Sequence, residues 1–99
     1  MISDECYDEL VFEGEHVSSV TVGEPERVIT VFTFSKSYAM TGWRVGYVVA
    51  PPELAAAIAK AQEPVVGNAA SVSQKGAEAA LNGPQECVGE MRDAYRERR

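Results

Sequence analysis

The 99-residue chain is short of the residues that build several common kinds of site. It has one histidine, His16, and two cysteines, Cys6 and Cys87, separated by most of its length. With no CxxC pair and no second histidine, neither a metal site nor a disulfide framework can be built on spacing, so both thiols are expected to be reduced and structural. A cysteine nucleophile has no support either, because no histidine is placed to activate it. Positive charge is scarce: nine Lys and Arg stand against fifteen Asp and Glu, a formal charge of −6. The bases are scattered until Tyr95-Arg96-Glu97-Arg98-Arg99, which argues against a nucleic-acid groove. No apolar run approaches the roughly 20 residues of a membrane span. Met1 is followed by Ile-Ser-Asp-Glu rather than by a basic segment and an apolar stretch, so no secretory signal is expected and the expected location is the cytoplasm.

What is present is an alternation of strand-like and helix-like segments. Met1 to Asp4 reads as the end of a strand running into a turn. Glu13 to Arg27 is polar, with Gly14, Gly23 and Pro25, and reads as a surface connection with a short helix. Val28 to Phe34 is β-branched or aromatic at every position, the composition of a strand buried on both faces. Trp43 to Ala50 is a second such run, closed by Pro51-Pro52. Pro52 suits the first turn of a helix over 52–62, with Leu54, Ile58 and Ala61 on one side and Pro64 as its end. Helices are also expected over 71–81, capped by serine, and 85–98, with Val88, Met91 and Tyr95 on one side. The fold class is therefore α/β: a mixed, mostly parallel fragment of about three strands (near 1–4, 28–34 and 43–50), then three helices. Strands apolar on both faces need helices on both sides, so residues 1–99 are expected to form part of one larger domain.

The stretch Ser35 to Tyr47, SKSYAMTGWRVGY, sets a lysine at the end of an apolar strand and an arginine eight residues later. A lysine there costs free energy unless its ammonium is solvated, paired or chemically used. Ser35 and Ser37 leave room around Lys36. Burial lowers an ammonium pKa toward a range useful for condensing with an aldehyde, and lysine with aldehyde is the chemistry of pyridoxal phosphate. That cofactor also needs a cation for its phosphate, which Arg44 supplies with a rigid fork of donors. Its pyridinium nitrogen needs an anion, and Asp4 stands at a strand end.

These residues carry a resemblance. Thr33 to Gly46, TFSKSYAMTGWRVG, closely resembles the lysine-attachment signature of the class I and II pyridoxal-phosphate aminotransferases of fold type I. It departs at Thr33, where that family usually has Gly or Ser. Upstream, ISDECYDELVFEG resembles the family's strand end, an Asp with a Tyr three residues later. The resemblance implies pyridoxal 5′-phosphate as cofactor, with Lys36 as the catalytic residue that bonds to it covalently and shuttles a proton. It implies Asp4 beside the ring nitrogen, Tyr7 on the ring's 3′-oxygen, and Arg44, Thr33 and Ser35 on the phosphate. It further implies transfer of an amino group between an amino acid and a 2-oxo acid in a homodimer, with these 99 residues forming the central part of the large domain. A carbon–sulfur β-lyase of the same fold, and a catalytically silent remnant, remain as alternatives. Trp43 and Tyr47 read as sheet packing. Tyr38, Met40, Ser71, Ser73 and Gln74 read either as packing and capping or as lining of the site or of a subunit interface, and His16 and Asp8 as solvated loop residues.

Overall fold

The structure is a computed structural model that describes all of residues 1–99. Its sheet has three strands in chain order: β1 (Ile2–Asp4), β2 (Ile29–Thr33) and β3 (Gly46–Val49). β1 and β2 run parallel, with Ile2 opposite Ile29 and Asp4 opposite Val31. β2 and β3 run antiparallel, with Thr30 opposite Val49 and Thr33 opposite Gly46. The parallel pair needs a long crossover. Residues 5–28 supply it, including the one-turn helix α1 (Ser19–Val22).

β2 is one residue shorter at each end than its composition suggests, and the C-terminal difference matters. The Oγ1 of Thr33 accepts the N–H of Ser35 at 3.1 Å, an N-cap bond that starts the helical turn α2 (Phe34–Ser37). Capping in this way gives a donor of the turn a partner and draws Phe34 out of the sheet. Lys36 therefore stands on a helical turn. Phe34, Met40 and Ala77 form a buried cluster, flanked by Tyr38, Val45 and Ala80, so the turn is pinned on both sides of the lysine.

The second strand also begins later than expected. Thr41–Trp43 form a 3₁₀ turn, and Arg44 leaves it in the left-handed region at φ 51°. Trp43 is therefore outside the sheet; its ring lies against Gly76, where an added Cβ would stand 2.7 Å from Cζ3. Tyr47 does pack in the sheet, its ring stacked on Phe32 at 4.9 Å.

Three longer helices follow: α3 (Pro52–Val66), α4 (Ser71–Asn82) and α5 (Glu86–Glu97). Pro52 opens α3 as expected, yet Pro64 does not close it. A proline lacks its own N–H and crowds the carbonyl four residues back, and both effects are confined to one turn. One forfeited bond in the last turn is tolerated, and the helix runs on until Gly67, at φ 71°, donates its N–H to Glu63 O. The half-buried positions of α3 are Ala55 and Ile58, whereas Leu54 and Ala61 are exposed. α4 is preceded by Ala70 at the N-cap, without a serine cap bond. α5 carries Glu86 in its first turn and Arg96 in its last, the favourable order for a helix dipole.

Only nine of the 99 residues are buried, and every residue of β3 is exposed. In β2 only Thr30 is fully buried; Val31, Phe32 and Thr33 remain half-buried. The helices present here cover only part of the sheet, so β2 is not buried on both faces within these residues.

Candidate active site

The candidate residues Asp4, Thr33, Lys36 and Arg44 lie at one end of the sheet. Asp4 closes β1, Thr33 closes β2, and Lys36 follows three residues later. Because β3 runs antiparallel, its first residue, Gly46, lies opposite Thr33, and this brings Arg44 to the same end. The carboxyl ends of parallel strands are where α/β proteins bind ligands, since side chains leaving several strands converge there.

Asp4 Oδ1 accepts the backbone N–H of Cys6 at 3.2 Å. The Nζ of Lys36 lies 5.7 Å from the centroid of the Tyr7 ring, over its face, within the distance at which a ring quadrupole attracts an ammonium. Burial pushes the Cys6 thiol up, and the hydrogen bond and charge of Asp4 push it further, while the positive charge of Lys36 opposes them. Asp4, Cys6, Tyr7 and Lys36 are therefore one electrostatic neighbourhood. Tyr7 is exposed rather than core filler, with 57% of its surface accessible.

Arg44 stands on the other side of the lysine turn. Its Nη1 donates to Thr41 O at 2.9 Å, and the Thr41 hydroxyl donates to Ser35 O at 2.9 Å, so the arginine turn is tied to the lysine turn. A further bond, Phe34 N to Val45 O at 3.3 Å, joins the two segments. The Thr33 hydroxyl accepts from Ser35 N and keeps its own proton free to donate. Among the nine cations, Arg27, Lys75, Arg92, Arg96 and Arg99 form ion pairs. Lys36, Arg44, Lys60 and Arg98 do not; of these, Lys36 and Arg44 stand at this end of the sheet with their charges available to a ligand.

The chemistry of this donor set fits pyridoxal phosphate. Lys36 with the Tyr7 ring beside it, Asp4 at the end of β1, and Arg44 on the turn tied to Ser35 lie at one end of the sheet.

Sequence reasoning missed a second set of residues immediately behind Asp4. Glu5 is only 5% exposed. Its Oε1 accepts from the Ser3 hydroxyl (3.0 Å), the Ser18 hydroxyl (3.0 Å) and Ser19 N (2.9 Å), and its Oε2 lies 3.0 Å from His16 Nε2. Burial alone raises a carboxylate pKa; here the bonds from His16, Ser19, Ser18 and Ser3 outweigh it and hold Glu5 at about 2. His16 is the exposed loop residue expected, and it is also a partner of a buried acid. The available signal was alternation: Ser3 and Glu5 leave β1 on the face opposite Asp4.

Comparison with known proteins identifies the family. The family model for aminotransferase class I and II matches residues 1–99. The chain therefore belongs to the class I and II aminotransferase family. Over its whole length it is 45% identical to an arginine–pyruvate transaminase of Pseudomonas aeruginosa and 43% identical to a probable aspartate/prephenate aminotransferase of Aquifex aeolicus, spanning 25% and 26% of those proteins. Aspartate aminotransferase from Rhizobium meliloti superimposes with a TM-score of 0.91 at 36% identity, covering 98% of this chain and 25% of that one. Aspartate aminotransferase from Thermus thermophilus with maleate gives 0.90 at 39% identity, covering 98% and 26%. The chain thus has the fold of one segment of these fold-type-I enzymes and spans about a quarter of their length.

Proposed function

We propose that this chain is the lysine-bearing segment of the cofactor domain of a pyridoxal-phosphate aminotransferase, acting on an amino acid and a 2-oxo acid. The observation that carries the reading is the convergence of Lys36, Asp4 and Tyr7 at the carboxyl end of β1 and β2, with Arg44 on the adjoining turn. Bound there, pyridoxal phosphate supplies an aldehyde for an amine and a ring that accepts electrons from the substrate carbon.

The chain's own residues have separable tasks. Lys36 Nζ is the amine that would hold the cofactor covalently, and it would carry the proton to and from the substrate α-carbon. Asp4 accepts the Cys6 N–H on Oδ1, and its other oxygen would hold the ring nitrogen protonated. The Tyr7 hydroxyl donates to the ring oxygen. Arg44, with the hydroxyls of Thr33 and Ser35, binds phosphate, for which a guanidinium fork is geometrically suited. Assembly as a homodimer belongs to the same proposal, as the family resemblance implies.

Adding pyridoxal phosphate and then borohydride tests this reading, since the chain has only three lysines, Lys36, Lys60 and Lys75. Peptide mass mapping should find the reduced adduct on Lys36, with Lys36→Ala losing it. Equal labelling of Lys60 and Lys75 would defeat the proposal. With an amino acid donor, conversion of the cofactor to its amine form marks transfer, whereas release of a thiol and ammonia marks a lyase.

A further inference from the structure

Glu5 is the one charged side chain in the buried set, and it adjoins the residue proposed to face the cofactor ring. Its backbone N–H donates to Val31 O at 3.0 Å, which extends the β1–β2 ladder one step past Asp4. Successive strand residues point to opposite faces, so Asp4 leaves toward the ligand end while Glu5 leaves toward the crossover. There Glu5 meets four partners: Ser3 from β1, His16 and Ser18 from the loop, and the N–H of Ser19 at the start of α1. Ser3 is itself bonded to Ser19, hydroxyl to hydroxyl, at 2.8 Å.

A buried carboxylate is a poor way to gain stability, because an apolar side chain of similar volume needs no desolvation. What four convergent bonds do provide is a single orientation. The peptide between Asp4 and Glu5 is held by Val31 on one side and by the Glu5 carboxylate on the other. This leaves Asp4 little freedom except about its own side-chain torsions, and its bond to Cys6 N restricts those.

We infer that Glu5, clamped by Ser3, His16, Ser18 and Ser19, is a positioning residue that fixes the direction of the Asp4 carboxylate at the ligand end of β1. The inference rests on the cofactor reading of Asp4 given above. It makes the crossover loop, far from the lysine turn in sequence, part of the machinery that aims the ring's counter-charge.

The test compares Glu5→Gln, Glu5→Ala and a control, Val28→Ala, which removes buried volume at the opposite end of β2. In the cofactor-free chain, the Cys6 amide resonance reports the bond to Asp4. It should move in both Glu5 variants and stay in place in the control. With pyridoxal phosphate added, Glu5→Gln should raise Kd about tenfold, as loosening an outer shell does at other sites. It should also shift the absorbance maximum of the Lys36-bound cofactor, while Val28→Ala keeps the wild-type spectrum. If Glu5→Ala does not fold, Glu5→Gln decides. Wild-type Cys6 resonances and spectra in Glu5→Gln would overturn the inference. Should the wild-type chain form no adduct at Lys36, it is the cofactor reading that fails, and the Cys6 resonance alone decides whether Glu5 orients Asp4.

Discussion

Replacing Gly76 by alanine sets two effects of comparable size against each other. Gly76 lies inside α4, where alanine is favoured over glycine by about 1 kcal/mol through backbone entropy. The new Cβ, however, would stand 2.7 Å from Cζ3 and 3.0 Å from Cε3 of Trp43, and 3.3 Å from the terminal methyl of Met40. The first distance is roughly 0.7 Å short of ordinary contact, and an indole ring cannot yield by bending. Overpacking of this kind costs about 1–3 kcal/mol, so the net expectation is a loss of about 1 kcal/mol. Trp43 is the only tryptophan, which makes its fluorescence a direct reporter. Urea denaturation of Gly76→Ala should show a lower midpoint and altered native emission. Ala79→Gly, at an exposed position of the same helix, supplies the pure propensity term. The consequence for function follows from the chain order: Trp43 immediately precedes Arg44, so a displaced ring moves the guanidinium and should weaken binding of a phosphate-bearing ligand. A gain of the full 1 kcal/mol with unchanged Trp43 emission would refute the packing described here.

Glu5 makes a pH prediction with a definite sign. Its pKa in the folded chain is lowered from 4.5 to about 2, so its contribution of about 3 kcal/mol is present above pH 4.5 and lost as pH falls toward 2. About 2 kcal/mol of it should be gone by pH 3; urea unfolding at pH 6 and pH 3 should show this loss in the wild type and not in Glu5→Gln. Gly46→Ala should destabilise by about 3 kcal/mol in the same assay, because the added Cβ would stand 2.5 Å from Phe32 O, a backbone atom with nowhere to go.

The lysine segment was readable because its conformation is decided locally. A strand of β-branched residues, a threonine able to cap and two serines around Lys36 specify strand, turn and space within a few positions. Arg44 was readable as chemistry but not as geometry. A positive φ at a non-glycine residue is not preferred by the residue itself; it arises here from a turn held by Met40 in the core and Trp43 on α4. The Glu5 clamp was hidden for a related reason: its bonds reach 13 and 14 residues ahead to Ser18 and Ser19, and no local pattern announces such a partner. Pro64 misled because a proline near a helix end removes one bond without forbidding the next turn.

Strand direction accounts for why so small a sheet can assemble a site at all. Asp4 and Lys36 arrive at the same end because β1 and β2 are parallel, and the crossover between them passes behind Asp4, where it supplies the partners of Glu5. Arg44 arrives there because the connection from β2 to β3 turns back at once, tied by Thr41 to Ser35 and by Val45 to Phe34. Had β3 run parallel to β2, Arg44 would have entered the sheet at the far end of a four-residue strand, roughly 13 Å away. The amine and the phosphate-binding cation could then not serve one small ligand. The mixed sheet is therefore a condition of the proposed chemistry: the parallel pair brings Asp4 and Lys36 to one end of the sheet, and the antiparallel return brings Arg44 there, where it would meet a phosphate.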